Sequence, residues 1–223
     1  MKTFNASAAL VALSLALAFG VVRTPAKIAC EHPMSTEAHT NAETQPGETA
    51  ATESAPTPEA APQSPLKLPL VNPRIVVSKS KRQLLLYADG ALVRTYRIAL
   101  GANPSDDKVR QGDRATPEGD FYICVKNARS NFYLSLGLSY PNEEDAERGL
   151  RDKLITRAER DRIVRAIRNK QRPPWDTALG GEIFIHGGGT DGDWTWGCVG
   201  LANPDIKELF DALPLGTRVR IER

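Results

Sequence analysis

Short runs of alternating or continuous apolar residues dominate the second half of this chain. Arg74-Ile-Val-Val-Ser78 and Gln83-Leu-Leu-Leu-Tyr87 are β-branched or Leu-rich, bounded by polar residues, and too short for helices; both predict strands. Asp89-Gly90 is a hairpin signal, and Ala91 to Leu100 is the return strand. After the Thr116-Pro117-Glu118-Gly119 turn, Asp120 to Val125 predicts a further strand. Gly181 to His186 and Thr217 to Glu222 predict two more. Asn203-Pro204-Asp205 opens a helix, with Asn203 as its cap and Ile206, Leu209, Phe210 and Leu213 at helical spacing.

The period changes between residues 142 and 172. Asn142 with Asp145, and Thr156 with Glu159, are helix-capping pairs. Leu150, Leu154 and Ala158, then Ile163, Val164 and Ile167, form apolar stripes. Two amphipathic helices inserted into a strand-rich domain are expected. Their outer faces carry ten Lys/Arg against seven Asp/Glu. That face is read either as solvated or as a lid beside a site. The fold class is α+β, predominantly β.

The first 72 residues follow other rules. Lys2 precedes an uncharged run from Ala6 to Val22, with Ala16 and Ala18 in an A-x-A pattern. Residues 1–25 are therefore read as a signal peptide or an uncleaved signal anchor, and the protein as exported to the periplasm or cell envelope. Membrane contact is expected only through this segment. Lys27 stands where a lipoprotein signal has an apolar residue, which argues against lipidation of Cys30. Residues 26–72 read as a tether rich in Pro, Ala, Glu and Thr. Seven prolines, six glutamates and no aromatic residue between Glu31 and Leu70 leave too little apolar surface to offset ordering entropy. The domain proper is residues 73–223, with the helical insertion at 142–172.

Composition adds mainly exclusions. With 223 residues, 41% apolar, 25% charged and net charge +2, the chain is not fibrous, disulfide-dense or polytopic. The domain carries 25 Lys/Arg against 21 Asp/Glu, too even for a nucleic-acid partner. Three cysteines cannot all pair within the chain. Zinc would need three or four ligands. The domain offers one His and two Cys, so no metal or other cofactor is expected.

Candidate chemistry concentrates in Ile185-His-Gly-Gly-Gly-Thr-Asp-Gly-Asp-Trp-Thr-Trp-Gly-Cys-Val199. His186 is the domain's single histidine, and Cys198 follows twelve residues later. A thiol becomes a good nucleophile as thiolate, and an imidazole can take its proton. Gly187 permits a sharp turn after the strand. Gly197 permits a tight turn that aims its own N–H and that of Cys198 at one point, as an oxyanion hole. Thr195 is a candidate to orient the imidazole. Trp194 and Trp196 either pack in the core or wall a substrate groove. A buried structural thiol is the alternative for Cys198. Cys124 reads as a core residue, with a disulfide to Cys198 as the minor reading.

These residues resemble the L,D-transpeptidase catalytic domain, the YkuD-type family of bacterial cell-wall enzymes. The likeness runs from Arg74 to Ile221 and rests on His186-Gly187, Thr195-x-Gly197-Cys198, Asn203 with Asp205, Gly216 to Ile221, and Thr116-Pro117-Glu118-Gly119-x-Phe121. It implies a β-sandwich or barrel and peptidoglycan stem peptides as partners. By the resemblance Cys198 is the nucleophile and His186 the base and acid. The thiolate attacks the carbonyl of the diamino acid and expels D-alanine. A second stem, a free D-amino acid or a wall-attached protein then takes the acyl group. Gly200 stands where relatives commonly have Arg, and Trp196 where they often have His. With the inserted helices, this likens the chain to the divergent YafK-like branch. Two alternatives stay open: a thiol hydrolase (carboxypeptidase or amidase) using the same site, and a non-catalytic wall-binding module.

Overall fold

The computed structural model describes residues 64–223. The signal, the tether up to residue 63, and Cys30 lie outside the described residues. Eight strands form one sheet in the order β3-β2-β1-β8-β4-β5-β6-β7. The strands are β1 (Arg74–Ser78), β2 (Gln83–Ala88), β3 (Ala91–Arg97), β4 (Gly119–Ser130), β5 (Tyr133–Leu138), β6 (Phe184–His186), β7 (Val199–Gly200) and β8 (Arg218–Glu222). Three helices accompany them: α1 (Glu143–Arg151), α2 (Arg157–Arg168) and α3 (Asn203–Ala212).

The first and last strands meet at the centre of the sheet. β1 pairs parallel with β8, with Ile75 opposite Val219 and Val77 opposite Ile221. The sheet also curls. Just beyond β3, Ala99 and Gly200 exchange both backbone hydrogen bonds at 2.9 Å, joining the two ends of the strand order. Strand alternation places Ile75, Val77, Leu84, Leu86, Ile123, Leu136, Ile185 and Val219 inside one apolar core. Each such side chain contributes about 1.5–3 kcal/mol by leaving water. Ile206 and Leu209 of α3 seal the β5 and β6 end of this core.

The insertion has its own small core of Ala146, Ile155, Ile163, Val164 and Leu179. Both expected capping boxes are formed. Gly149 sits inside α1 because a Cβ there would lie 2.7 Å from Leu179 Cδ2. Arg148 ties the insertion to the segment between β3 and β4, donating to Asp107 and to the Lys108 carbonyl at 2.7 and 2.6 Å.

Several boundaries differ from the pattern reading. β4 extends to Ser130 rather than ending at Val125, and β5 was not expected at all. The two form a bulged hairpin whose register slips twice, which breaks the alternation a strand search uses. β3 ends at Arg97, because residues 98–100 turn towards β7. The cap of α3 is Ala202, not Asn203. The Asn203 side chain instead accepts a hydrogen bond from Gly188 N–H at 3.0 Å.

Candidate active site

β6 and β7 place the two candidate reactive residues. They run parallel, with Ile185 opposite Val199 and His186 opposite Gly200. Ile185 and Val199 point into the core. By the two-residue period, His186 and Cys198 take the other face, two positions apart along adjoining strands. Strand register thus sets His186 and Cys198, the residue just before β7, on one face across the loop of residues 187–198.

His186 is almost fully buried. Its Nδ1 lies 2.6 Å from the Gly187 carbonyl oxygen, an acceptor only. Nδ1 therefore carries the proton, and Nε2 presents its lone pair. Nε2 is buried with no hydrogen-bond partner. Phe132 stacks on the ring at 4.6 Å between centroids, and Trp194 meets it edge-on at 5.5 Å. Burial pushes the imidazole pKa down to about 4, against the smaller opposing pull of the Gly187 carbonyl. The ring is a neutral acceptor at physiological pH.

The Cys198 sulfur is disulfide-bonded in this structure and does not titrate. Cys124 is a free, half-buried thiol, so the expected minor pairing of Cys124 with Cys198 is not made. Burial pushes the Cys124 thiol up to about 12. The Cys198 Sγ accepts from Phe184 N–H at 3.4 Å and lies 3.6 Å from the Glu182 carbonyl oxygen.

Thr195 does not orient the imidazole. Its hydroxyl donates to the Cys198 carbonyl at 2.8 Å and accepts from Gly197 N–H at 3.2 Å. The hydroxyl bridges three residues of one tight turn, so it shapes that turn, and the Gly187 carbonyl holds the ring instead. The same bond occupies the Gly197 N–H expected in an oxyanion hole. Gly197 has φ +118, and a Cβ there would lie 2.6 Å from the Ala115 carbonyl oxygen, so the turn requires glycine twice over. Gly187 is needed for close approach: a Cβ would fall 2.4 Å from Asn203 Oδ1. Trp194 is partly exposed and covers the imidazole, while Arg114 stacks over Trp196 at 4.5 Å.

Two site-forming residues, Phe132 and Asp193, escaped the sequence reading, and a third, Thr116, was read only as part of a turn. Phe132 comes from the unexpected β4–β5 hairpin. Asp193 accepts from the Arg82 guanidinium at 2.7 Å and from Leu100 N–H at 2.9 Å, pinning the loop between His186 and Cys198 onto the first hairpin. Thr116 accepts from Gly101 N–H at 3.0 Å beneath the cysteine turn. All three contacts join residues far apart in sequence. Only the Thr116-Pro117 turn carried a sequence signal.

The solved structures to which the chain is similar include the helical cell shape determining protein Pgp2 from Campylobacter jejuni. It is 21% identical, covers 68% of this chain and 47% of its own length, and has a TM-score of 0.47. Bd1075 from Bdellovibrio bacteriovorus is 20% identical over 69% of this chain and 48% of its own, with a TM-score of 0.45. An L,D-transpeptidase from Xylanimonas cellulosilytica is 18% identical over 72% of this chain and 65% of its own, with a TM-score of 0.42. The chain spans about half the length of the first two. No curated protein matches it. The model of the L,D-transpeptidase catalytic domain matches residues 72–221, most of the chain and all of the sheet but Glu222. On that match, the chain belongs to the L,D-transpeptidase catalytic domain (YkuD) family.

Proposed function

We propose that the protein is an exported, cysteine-dependent peptidoglycan L,D-transpeptidase. One observation carries the reading beyond family membership. The domain's single imidazole is buried, held as the Nδ1–H tautomer, and presents an unpartnered Nε2 on the strand face it shares with Cys198.

The reaction requires Cys198 as the reduced thiol. Nε2 of His186 then takes the thiol proton as sulfur attacks the carbonyl of the diamino acid. Collapse of the tetrahedral intermediate breaks the C–N bond, and the imidazolium returns its proton to the leaving D-alanine amine. The product is a thioester. An acceptor amine attacks it, loses a proton to His186, and leaves the sulfur as thiolate. The apolar cover of Phe132 and Trp194 keeps the imidazole neutral and ready to accept a proton.

A hydrolytic second half-reaction is favoured by one feature. At Gly200, a Cβ would meet the Gly189 carbonyl oxygen at 3.1 Å and Ala99 Cβ at 3.3 Å. The site is packed where relatives commonly carry an arginine beside the cysteine turn, and water would then resolve the thioester.

Mass spectrometry of muropeptides treated with reduced protein tests both. Wild type is expected to release D-alanine and form 3→3 dimers, and Cys198→Ala to do neither. Shortened stems without dimers would assign the hydrolase. Equal biological effect of Cys198→Ala and wild type would leave a wall-binding module.

A further inference from the structure

Nε2 of His186 is sealed from solvent, with Trp194 and Phe132 against its ring. The loop that leads into Trp194 is poorly braced by its own contacts. Gly188, Gly189 and Gly192 have φ of +108, +108 and +74, and a Cβ on Gly189 or Gly192 would meet nothing within 4 Å. Glycine backbone in open space offers little resistance to displacement. The indole Nε1–H donates to the Gly189 carbonyl of this same loop, at a long 3.4 Å.

Firmer anchors lie on either side of Trp194. Thr195 N–H donates to the Leu100 carbonyl at 3.1 Å, and the Thr195 carbonyl accepts from Ala102 N–H at 3.0 Å. Asp193 is gripped by the Arg82 guanidinium, from Nε to Oδ1 at 3.1 Å and from Nη2 to Oδ2 at 2.7 Å. Leu100 N–H also donates to Asp193 Oδ1, at 2.9 Å. Arg82 springs from a rigid turn between β1 and β2. Its N–H donates to the Lys79 carbonyl at 3.2 Å, its carbonyl accepts from Ile98 N–H at 3.1 Å, and its Nη1 returns to the Lys79 carbonyl. Arg82 also has φ +51, a left-handed conformation that glycine adopts more cheaply than a residue with a side chain. An arginine placed there needs a compensating role for its side chain. Both partners of the pair are partly exposed, so overall stability is a weak candidate for that role.

We propose that Arg82 and Asp193 are positioning residues: their ion pair latches the loop so that Trp194 stays against the His186 ring. The pair acts through Trp194 and takes no part in proton transfer. The inference rests on the proposed transpeptidase reading for what His186 does. With the latch closed, the imidazole is dry and fixed. With the latch broken, the glycine-rich stretch lets the cover shift, water reaches Nε2, and the base loses its alignment.

Acylation of His186 by diethyl pyrocarbonate at neutral pH reads the cover without turnover. It is followed by peptide mass mapping of the full-length protein, with His32 and His39 as internal references. Asp193→Asn keeps an oxygen for Leu100 N–H and removes the charge; Arg82→Gln removes the guanidinium fork. Each is expected to raise the His186 rate roughly tenfold with Tm nearly unchanged, and the double variant no further than either single change. Arg82→Lys should keep part of the protection, because one ammonium still meets the carboxylate. Trp194→Ala should expose the ring outright, and adding Arg82→Gln to it should change nothing more. In reduced protein acting on tetrapeptide muropeptides, Asp193→Asn and Arg82→Gln should each lower kcat about tenfold with KM near wild type. Unchanged acylation in both single variants overturns the proposal, as does a further rise when Arg82→Gln is added to Trp194→Ala. Latch-dependent acylation in a wild type that shows no turnover sinks the transpeptidase reading and leaves the latch standing.

Discussion

The curled sheet and the inserted helical pair are built on opposite principles. The sheet buries a continuous apolar core and folds its reactive end against itself, with glycines at 187, 197 and 200 where backbones nearly touch. The insertion holds a core of five buried residues between two capped helices and turns arginines towards a polar cavity. A reactive imidazole needs a dry, rigid frame, because small displacements forfeit the geometry of proton transfer. In the proposed reading the sheet supplies reactivity, and the insertion packs beside it around a small core of its own.

The largest expected contrast is kinetic. His186→Gln should lower kcat of the reduced protein by roughly 10²–10⁴, the usual contribution of a general base. A His186→Gln enzyme with near-normal kcat would place the base elsewhere.

Core truncation comes next. Leu86→Ala and Ile163→Ala each remove a fully buried side chain, from the sheet and from α2 respectively. Either change should cost about 2–5 kcal/mol where it is felt. Leu86→Ala should lower the global melting transition. Ile163→Ala should leave the sheet transition close to wild type and raise hydrogen exchange in α1 and α2. A matching global loss from Ile163→Ala would show that sheet and insertion unfold as one unit.

The smallest contrast is in pH, and the two regions should titrate in opposite directions. The folded pKa of His186 is about 4, below the ordinary 6.5. Its neutral form stabilises the fold above pH 6.5, and that stability is lost as pH falls from 6.5 towards 4, by up to roughly 3 kcal/mol. Burial pushes the Asp145 carboxyl of α1 up to about 7, against the pull of Asn142 N–H and Arg148. Its contribution is full below the ordinary value of 3.8 and is lost as pH rises through 7. The stability difference between wild type and His186→Gln should therefore grow from pH 4 to 6.5. The difference between wild type and Asp145→Asn should shrink from pH 4 to 7. Two slopes of the same sign would mean that one of these groups is not buried as described.

The two regions also differed in how openly the sequence announced them. The starts of both inserted helices were legible to the residue, because caps and apolar stripes act within a few positions. β1 and β8 were legible as strands, but nothing local states that they pair with each other across the whole domain. The β4–β5 hairpin was obscured by its bulges, and with it Phe132. Asn203 looked like a helix cap because Asn-Pro-Asp is a helix opening, yet Gly188 competes for its side chain. His186 and Cys198 stood out through glycine-rich surroundings, whereas Asp193 gave no sign that it anchors the loop between them.

By itself, the sequence determined which residues can do chemistry and which short segments form helices or strands, since residue type and local periodicity are properties of neighbouring positions. The tertiary structure decided that the Gly187 carbonyl rather than Thr195 holds the imidazole, and that Thr195 is bound into the cysteine turn. Those outcomes depend on strand register and on the curl that joins Ala99 to Gly200. Register and curl are set by packing among distant segments, where the free energy is shared by many contacts and written in no single stretch of chain.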